Sequence, residues 1–313
     1  MNERTSARYE AKTETPRVSV ILPVYNDAER LKRCLDALAD QSYPRGQYEV
    51  LVVDNRSSPP LDEVVEPFGQ ARCLHESKRG SYAARNTGLA AARGSILAFT
   101  DSDCIPSADW IAAGVRRLSE LPEGERLIGG HIELVPGDPA HPTGAELYDL
   151  VFGLSQKTYV EREHFAATAN VFVTREIMDA VGSFDAELQS GGDNEWGKRA
   201  FAGGYPLSYA EDVVVRHPTR ASFREMFTKI RRVTLGNCDL SCKDRGWRRR
   251  CWIRLAKVLP SLRYSVWPAL TAGSLTPWMR VRLLGVIVVA HYYEYGIRLG
   301  RIGDLLRPLE ESA

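Results

Sequence analysis

The sequence predicts an α/β fold, a sheet wound with helices on both faces, and three observations predict it. Apolar runs rich in Val and Ile alternate with helical patterns at short intervals from Arg17 to Asp103. Each run stops abruptly at a residue that ends a strand, namely Pro23, Asp54 or Asp101. The third run, ILAFTDSDC (Ile96 to Cys104), closes on Asp101 and Asp103, two carboxylates separated by one residue at the edge where a parallel sheet holds its ligands. Two carboxylates this close repel unless a cation or hydrogen-bond donors offset the repulsion, and hard oxygen ligands suit Mg2+ or Mn2+ carrying a diphosphate. An isolated D-x-D is more often a helix cap, so the pair gains meaning only from its surroundings.

The elements follow in order. RVSVILPVYN, from Arg17, is a strand, and the pattern from Asp27 through Ala39 is a helix with Asp27 as its N-cap. YEVLVVDNRSS is a second strand ending in Asp54. ARCLHESKRG supplies a short strand and loop, and SYAARNTGLAAARG a helix closed by Gly94. ILAFTDSD is the next strand. A helix from Trp110 to about Leu118 and a strand near LIGGHIEL precede a less regular stretch, HPTGAELYDLVFGLSQKTYV. ATANVFVTREIMDAVGSFDAEL reads as strand, helix and turn, SGGDNEWGKRAFAGG as a loop opening a helix, and YPLSYAEDVVVRHP as the final strand. There is no internal repeat or low-complexity tract.

With 313 residues, 44% of them hydrophobic, the chain can bury one large core with a smaller appendage. A formal charge of +1 gives no overall pull toward nucleic acid, and no nucleic-acid partner is expected. Basic residues nevertheless crowd one region: Arg231, Arg232, Lys243, Arg245, Arg248, Arg249, Arg250, Arg254 and Lys257, among Trp247, Trp252 and Leu255. The six cysteines form no C-x-x-C pair, which points to reduced thiols rather than a zinc site. Residues 1–16 are polar and lack the apolar core of a signal peptide, so a flexible leader on a cytoplasmic protein is expected. In the tail, Tyr264 to Met279 is uncharged but holds Pro268 and Pro277, and LLGVIVVA (Leu283 to Ala290) is bounded by Arg282 and His291. Neither reaches the ~20 apolar residues of a membrane span. Interfacial helices on the inner face of a membrane account for the aromatics, prolines and arginines together; a packed helical subdomain or dimer face is the alternative. The expected division is leader 1–16, catalytic domain 17–220 and helical extension 221–313.

Taken in order, VSVILPVYNDAERLKRCLDALADQSYP, VLVVDNRSS, KRGSYAARNTGLAAARG, ILAFTDSDC, FDAELQSGGDNEWGKRA and VVVRHP resemble the inverting family 2 glycosyltransferases of GT-A fold, over Val18 to Pro218. The resemblance implies a GT-A (nucleotide-diphospho-sugar transferase, Rossmann-like) domain with a helical, amphipathic C-terminal extension. It implies that Pro23, Tyr25 and Asn26 lie against the base and ribose of a UDP- or GDP-sugar, and that Asp54 accepts from the base's imide N–H. Arg85 and Asn86 match the position that supports the diphosphate-sugar and the D-x-D loop. Asp103 matches the ligand of Mg2+ or Mn2+, Asp101 a contact to ribose or sugar hydroxyls, and His217 a histidine that often completes the metal shell. Many relatives carry Glu then Asp, followed by another acid two residues later; here Gly192 replaces the Glu. That leaves Asp193 as the expected general base and Glu195 as its fallback. Trp196 is either a platform for a sugar face or a core aromatic, and Thr168 and Asn170 are candidates for contacts to sugar hydroxyls. The implied reaction is direct displacement by an acceptor hydroxyl on a glycolipid, lipid-linked saccharide or polysaccharide precursor of the cell envelope.

Two other classes compete. A binding partner that had lost catalysis with the missing Glu would not need Asp101, Asp103 and Asp193 together. A nucleotidyltransferase would need a Gly-rich phosphate loop with a basic residue soon after the first strand, and PVYNDAER has no such loop.

Overall fold

The computed structural model describes residues 17–242, 266–273 and 275–310. The predicted leader and the basic, tryptophan-rich stretch from Lys243 to Lys257 lie outside the described residues. The strands are β1 (Val18–Val24), β2 (Tyr48–Asp54), β3 (Ala71–His75), β4 (Ile96–Thr100), β5 (Ile105–Pro106), β6 (Leu127–Val135), β7 (Asn170–Thr174) and β8 (Ser208–Pro218). They form one sheet in the order β3-β2-β1-β4-β7-β6-β8-β5. The helices are α1 (Ala28–Ala39), α2 (Asp62–Val65), α3 (Ser81–Ala91), α4 (Trp110–Glu120), α5 (Gly144–Phe152), α6 (Gln156–Thr158), α7 (Arg175–Val181), α8 (Gly192–Ala202), α9 (Phe223–Cys242) and α10 (Pro277–Glu310).

The parallel half is where the sequence reading puts it. β1 pairs in parallel with β2 and β4, and β2 with β3. All seven residues of β1 and of β2 are buried, as expected for strands covered on both faces. Their side chains alternate between two cores. Val18, Val20 and Leu22 meet Leu31, Leu35 and Leu38 of α1, which recur at helical spacing. Ile21, Leu51 and Leu97 meet Tyr82 of α3, Ile177 and Met178 of α7, and Trp196 of α8. Beyond β4 the sheet becomes mixed: β7 runs antiparallel to both β4 and β6, and β8 runs parallel to β6. The chain between β4 and β7 spans residues 101–169 and carries α4, β6 and α5, so it returns as a reversal instead of a single βαβ crossover.

Three local expectations change. Asp27 stands at the N-cap of α1 but its carboxylate makes no capping bond; it pairs with Arg30 at 3.5 Å. Helix α3 ends at Ala91, three residues before Gly94. The stretch read as irregular contains α5, started by a capping box in which Thr143 Oγ1 accepts from Glu146 N at 3.2 Å and Glu146 Oε2 accepts from Thr143 N at 2.6 Å.

The helices α9 and α10 pack on α5. Ala145, Met226, Ile230, Val286 and Ala290 form one small apolar cluster, and Leu147, Ala269, Leu275, Leu283 and Ile287 another. Among the described residues no helix is long and apolar enough to cross a membrane.

Candidate active site

The C-terminal ends of β1 and β4, the start of α3, the Ser190–Asp193 turn, the end of β8 and one face of α9 surround a cavity of about 600 Å³. Of the residues predicted from sequence, Pro23, Tyr25, Arg85, Asp101, Asp103, Asp193 and His217 line it. They come from segments as far apart in sequence as Pro23 and His217, and the fold brings them to one hollow.

Asp101 is held by Arg85, whose side chain is 4% exposed and donates to its Oδ1. Arg85 also lies over the Tyr82 ring, 5.6 Å from its centroid. Asp103 faces His217, with its Oδ1 3.7 Å from His217 Nε2, while Arg30 stands 3.9 Å from its Oδ2. His217 Nδ1 lies 2.7 Å from the Pro218 carbonyl, which can only accept, so Nδ1 donates there and Nε2 is the ring nitrogen turned toward the carboxylate. The imidazole Nε2 and the Asp103 carboxylate lie close enough to share one cation, and the backbone carbonyl fixes the imidazole as second partners of ligating histidines do. Burial pushes the Asp103 carboxyl above its usual range, with His217 opposing and Asp101 adding to the shift. Cys104 Sγ lies within reach of the same point, but burial raises its thiol well above the ordinary value, so it remains a neutral neighbour. Asp103 and His217 thus fit a hard divalent ion with further oxygen ligands.

Across the cavity, Asp193 opens α8. Its Oδ1 accepts from the Tyr82 hydroxyl at 3.1 Å and from Asn194 N at 2.9 Å, which leaves Oδ2 free. Burial raises its carboxyl above the usual range; Arg85 and the two donors oppose this. Burial, reinforced by Asp193, also raises the Tyr82 phenol, which stays a neutral donor. The Gly192 position is tied to this pair, since a Cβ there would come 2.8 Å from the Tyr82 ring. A larger residue would displace the tyrosine that orients Asp193.

Four predicted residues stand elsewhere. Asn26, at φ 50°, spends its side-chain oxygen on Ser58 N at 2.8 Å and so shapes the loop behind Tyr25. Asp54, 2% exposed, accepts from Ser57 N at 2.8 Å and Leu61 N at 3.3 Å; both oxygens serve the turn after β2, and the next residue, Asn55, lines the cavity in its place. Asn86 exchanges bonds with Phe184, donating to its carbonyl at 2.8 Å and accepting from its N–H at 3.0 Å. Glu195 is bound by Arg199 at 3.0 and 3.1 Å and does not line the cavity, because two positions along the helix turn it to the opposite side from Asp193. Of the other candidates, Trp196 is a core aromatic, 4% exposed, whose indole donates to Gly182 O at 2.7 Å. Asn170 is fully buried and donates to the His131 and Val213 carbonyls, whereas Thr168 does line the cavity.

The sequence reading missed Tyr82, Asn55 and a basic wall formed by Arg220, Lys229 and Arg232. Behind that wall Asp149 of α5, 1% exposed, accepts from Arg220 at 2.7 Å and Lys229 at 3.1 Å. Burial works against its charge, and Lys229 and Arg220 outweigh it, holding the carboxyl below the usual range. A single acid among apolar positions, in LYDLVF, is the signal that could have singled out Asp149.

Residues 19–182 match the family model described as glycosyl transferase family 2. Glycosyltransferase AglE of Haloferax volcanii is 39% identical over 308 residues, 95% of this chain and 98% of the relative. The chain belongs to glycosyl transferase family 2. This glycosyltransferase is also 22% identical, over 66% of its length and 68% of the relative's, to a dolichyl N-acetyl-alpha-D-glucosaminyl phosphate 3-beta-D-2,3-diacetamido-2,3-dideoxy-beta-D-glucuronosyltransferase of Methanococcus voltae. Among solved structures it resembles the mannosyltransferase PcManGT of Pyrobaculum calidifontis, in complex with GDP-Man and Mn2+, with a TM-score of 0.59, 22% identity, and coverage of 90% of this chain and 88% of that one. The family 2 glycosyltransferase therefore has the GT-A fold.

Proposed function

We propose that the enzyme transfers a sugar, with inversion, from a UDP- or GDP-sugar to a hydroxyl of a lipid-linked glycan acceptor, assisted by Mg2+ or Mn2+. The observation that carries this reading is the convergence of Asp101, Asp103 and His217 on one side of a cavity whose other side holds Asp193. Pro23, Tyr25 and Asn55 bound the nucleotide end. Asp103 and His217 would hold the ion, and Arg85 would keep Asp101 turned toward ribose or sugar hydroxyls. When bound, the ion neutralises charge on the departing diphosphate. Asp193 takes the acceptor proton at its free Oδ2, while Tyr82 and Asn194 hold Oδ1 and fix the carboxylate plane. Its raised carboxyl strengthens it as a base. The acceptor oxygen then attacks opposite the diphosphate, and no covalent intermediate is required.

The lipid-linked acceptor is supported by the Methanococcus voltae relative, whose name describes transfer to a dolichyl-phosphate-linked sugar. The manganese in the PcManGT complex favours a divalent ion. We divide the chain into catalytic residues 17–220 and helical extension 221–313, with α9 completing the cavity and α10 meeting the membrane surface from the inner face. A thermal-shift screen of UDP- and GDP-sugars, with and without Mn2+, tests the donor reading. Selective stabilisation by one nucleotide-sugar that depends on the ion is expected, and no shift with any would refute it.

A further inference from the structure

Next to the cavity on the α9 side lies a second hollow of about 560 Å³, and Arg220, Lys229 and Arg232 line both. Arg224 adds a fourth cation to its rim. Among the described residues the carboxylates nearby are fewer. Asp149 is shared between Arg220 and Lys229, and Glu225 accepts from Ser222 N at the start of α9. Burial and the charge of Arg220 push the Lys229 ammonium down to about 8 despite Asp149, as expected where positive groups outnumber their counter-charges. Lys229 and Arg232, three residues apart, share one helix face.

The location of this face decides what anion it would meet. Arg232 reaches the Ser190 hydroxyl at 3.5 Å, and Gly236 sits so close to Ser190 that a Cβ would come within 2.8 Å of its side chain. Ser190 belongs to the turn that delivers Asp193. The charged face therefore adjoins the proton-accepting side of the cavity, from which the acceptor oxygen must approach, whereas Pro23, Tyr25 and Asn55 belong to the loops after β1 and β2.

We propose that Arg220, Lys229 and Arg232 form an anion subsite for the acceptor, holding the phosphate or diphosphate that joins its sugar to a carrier. The inference rests on the reading of the acceptor as a carrier-linked saccharide and names the group by which the enzyme grips it. Asp149 keeps Arg220 and Lys229 in place and offsets only one of their two charges.

The test is calorimetric titration of the full chain with farnesyl phosphate, inorganic phosphate and farnesol, with Mg2+ present and with or without UDP or GDP. Both phosphates should bind, and farnesol at least about tenfold more weakly than farnesyl phosphate. Farnesyl phosphate binding more tightly than inorganic phosphate assigns a lipid carrier; equal affinities assign recognition of phosphate alone, and either supports the subsite. Lys229→Gln and the exposed Arg232→Gln should each weaken farnesyl phosphate binding about tenfold, with UDP and GDP affinities within about twofold and, for Arg232→Gln, a matched thermal transition. Farnesol binding as well as farnesyl phosphate, no phosphate binding, or unchanged affinity in both variants would overturn the proposal. So would loss of nucleotide affinity in their place, which would hand these cations to the donor. Absence of nucleotide binding by the unaltered chain would refute the donor reading, while the titration without nucleotide still decides the subsite.

Discussion

Asp193, the proposed base, is buried, and burial of its carboxylate costs the folded chain stability. A carboxyl raised in the folded state favours folding when protonated; that stabilisation is fully present below the ordinary carboxylate range and is lost as pH rises through the raised value. Turnover has the opposite sign, since only the ionised form accepts a proton, so activity should climb over the interval in which stability declines. Asp193→Asn is expected to lower kcat by about a hundredfold to ten-thousandfold and to leave nucleotide affinity unchanged. It should melt no lower than the unaltered chain at neutral pH, with an advantage that shrinks as pH falls. Unaltered turnover in the variant would remove Asp193 from the role of base. Asp103 carries a different expectation. Replacing it with Ala removes the carboxylate that faces His217 Nε2, so Mn2+ should no longer strengthen UDP or GDP binding; a calorimetric affinity that still responds to Mn2+ would exclude Asp103 as ligand. The absent Glu at position 192 is explained by contact: the Tyr82 ring occupies the space a side chain would take.

At the scale of elements, the link between the catalytic sheet and its helical extension is the charged cluster of Asp149, Arg220 and Lys229. Removing one member of a buried pair strands the others, so Asp149→Ala should cost about 3 kcal/mol in urea unfolding, reduced somewhat because Arg220 and Lys229 keep partial contact with water. A loss below about 1 kcal/mol would mean that α9 is held by Met226 and Ile230 alone. This cluster also marks where sequence reasoning ran out. The strands of the parallel half and the D-x-D pair were legible because they are encoded locally, by apolar runs and by the residue that ends each run. The capping box of α5 was equally local, in TGAE, and was overlooked. By contrast, sequence did not reveal that Asp54, Asn86 and Glu195 turn away from the cavity, because neighbouring residues on a strand end or helix start face different directions. Only backbone geometry decides whether Asp54 or Asn55, Asp193 or Glu195, looks into the cavity. The Asp149 pairing joins residues some seventy positions apart and has no local signature.

For the whole molecule, α10 poses a problem of solvation, because it is apolar on two opposite sides. Leu283, Val286, Ile287 and Ala290 face α5 and α9. At steps of three, seven and four residues around the other side stand Trp278 (69% exposed), Val281 (59%), Val288 and Tyr292 (60%), and Trp267 (69%) stands exposed before the helix. A helix hydrophobic all round ordinarily has both faces covered. The span is not apolar enough to cross a bilayer, but aromatic side chains with arginines such as Arg280 and Arg282 beside them suit the boundary between headgroups and acyl chains. Such a contact would bring the cavity to the surface on which a lipid-linked acceptor resides. The full chain should therefore co-sediment with vesicles containing anionic lipid. Replacing Trp278, Val281 and Val288 together with Glu should abolish that while changing unfolding stability by less than about 1 kcal/mol, since none of the three packs in the core. If the variant sediments with vesicles as the unaltered chain does, the exposed face of α10 is not a membrane contact. If its loss instead converts a dimer to a monomer, that face is the seam between two copies.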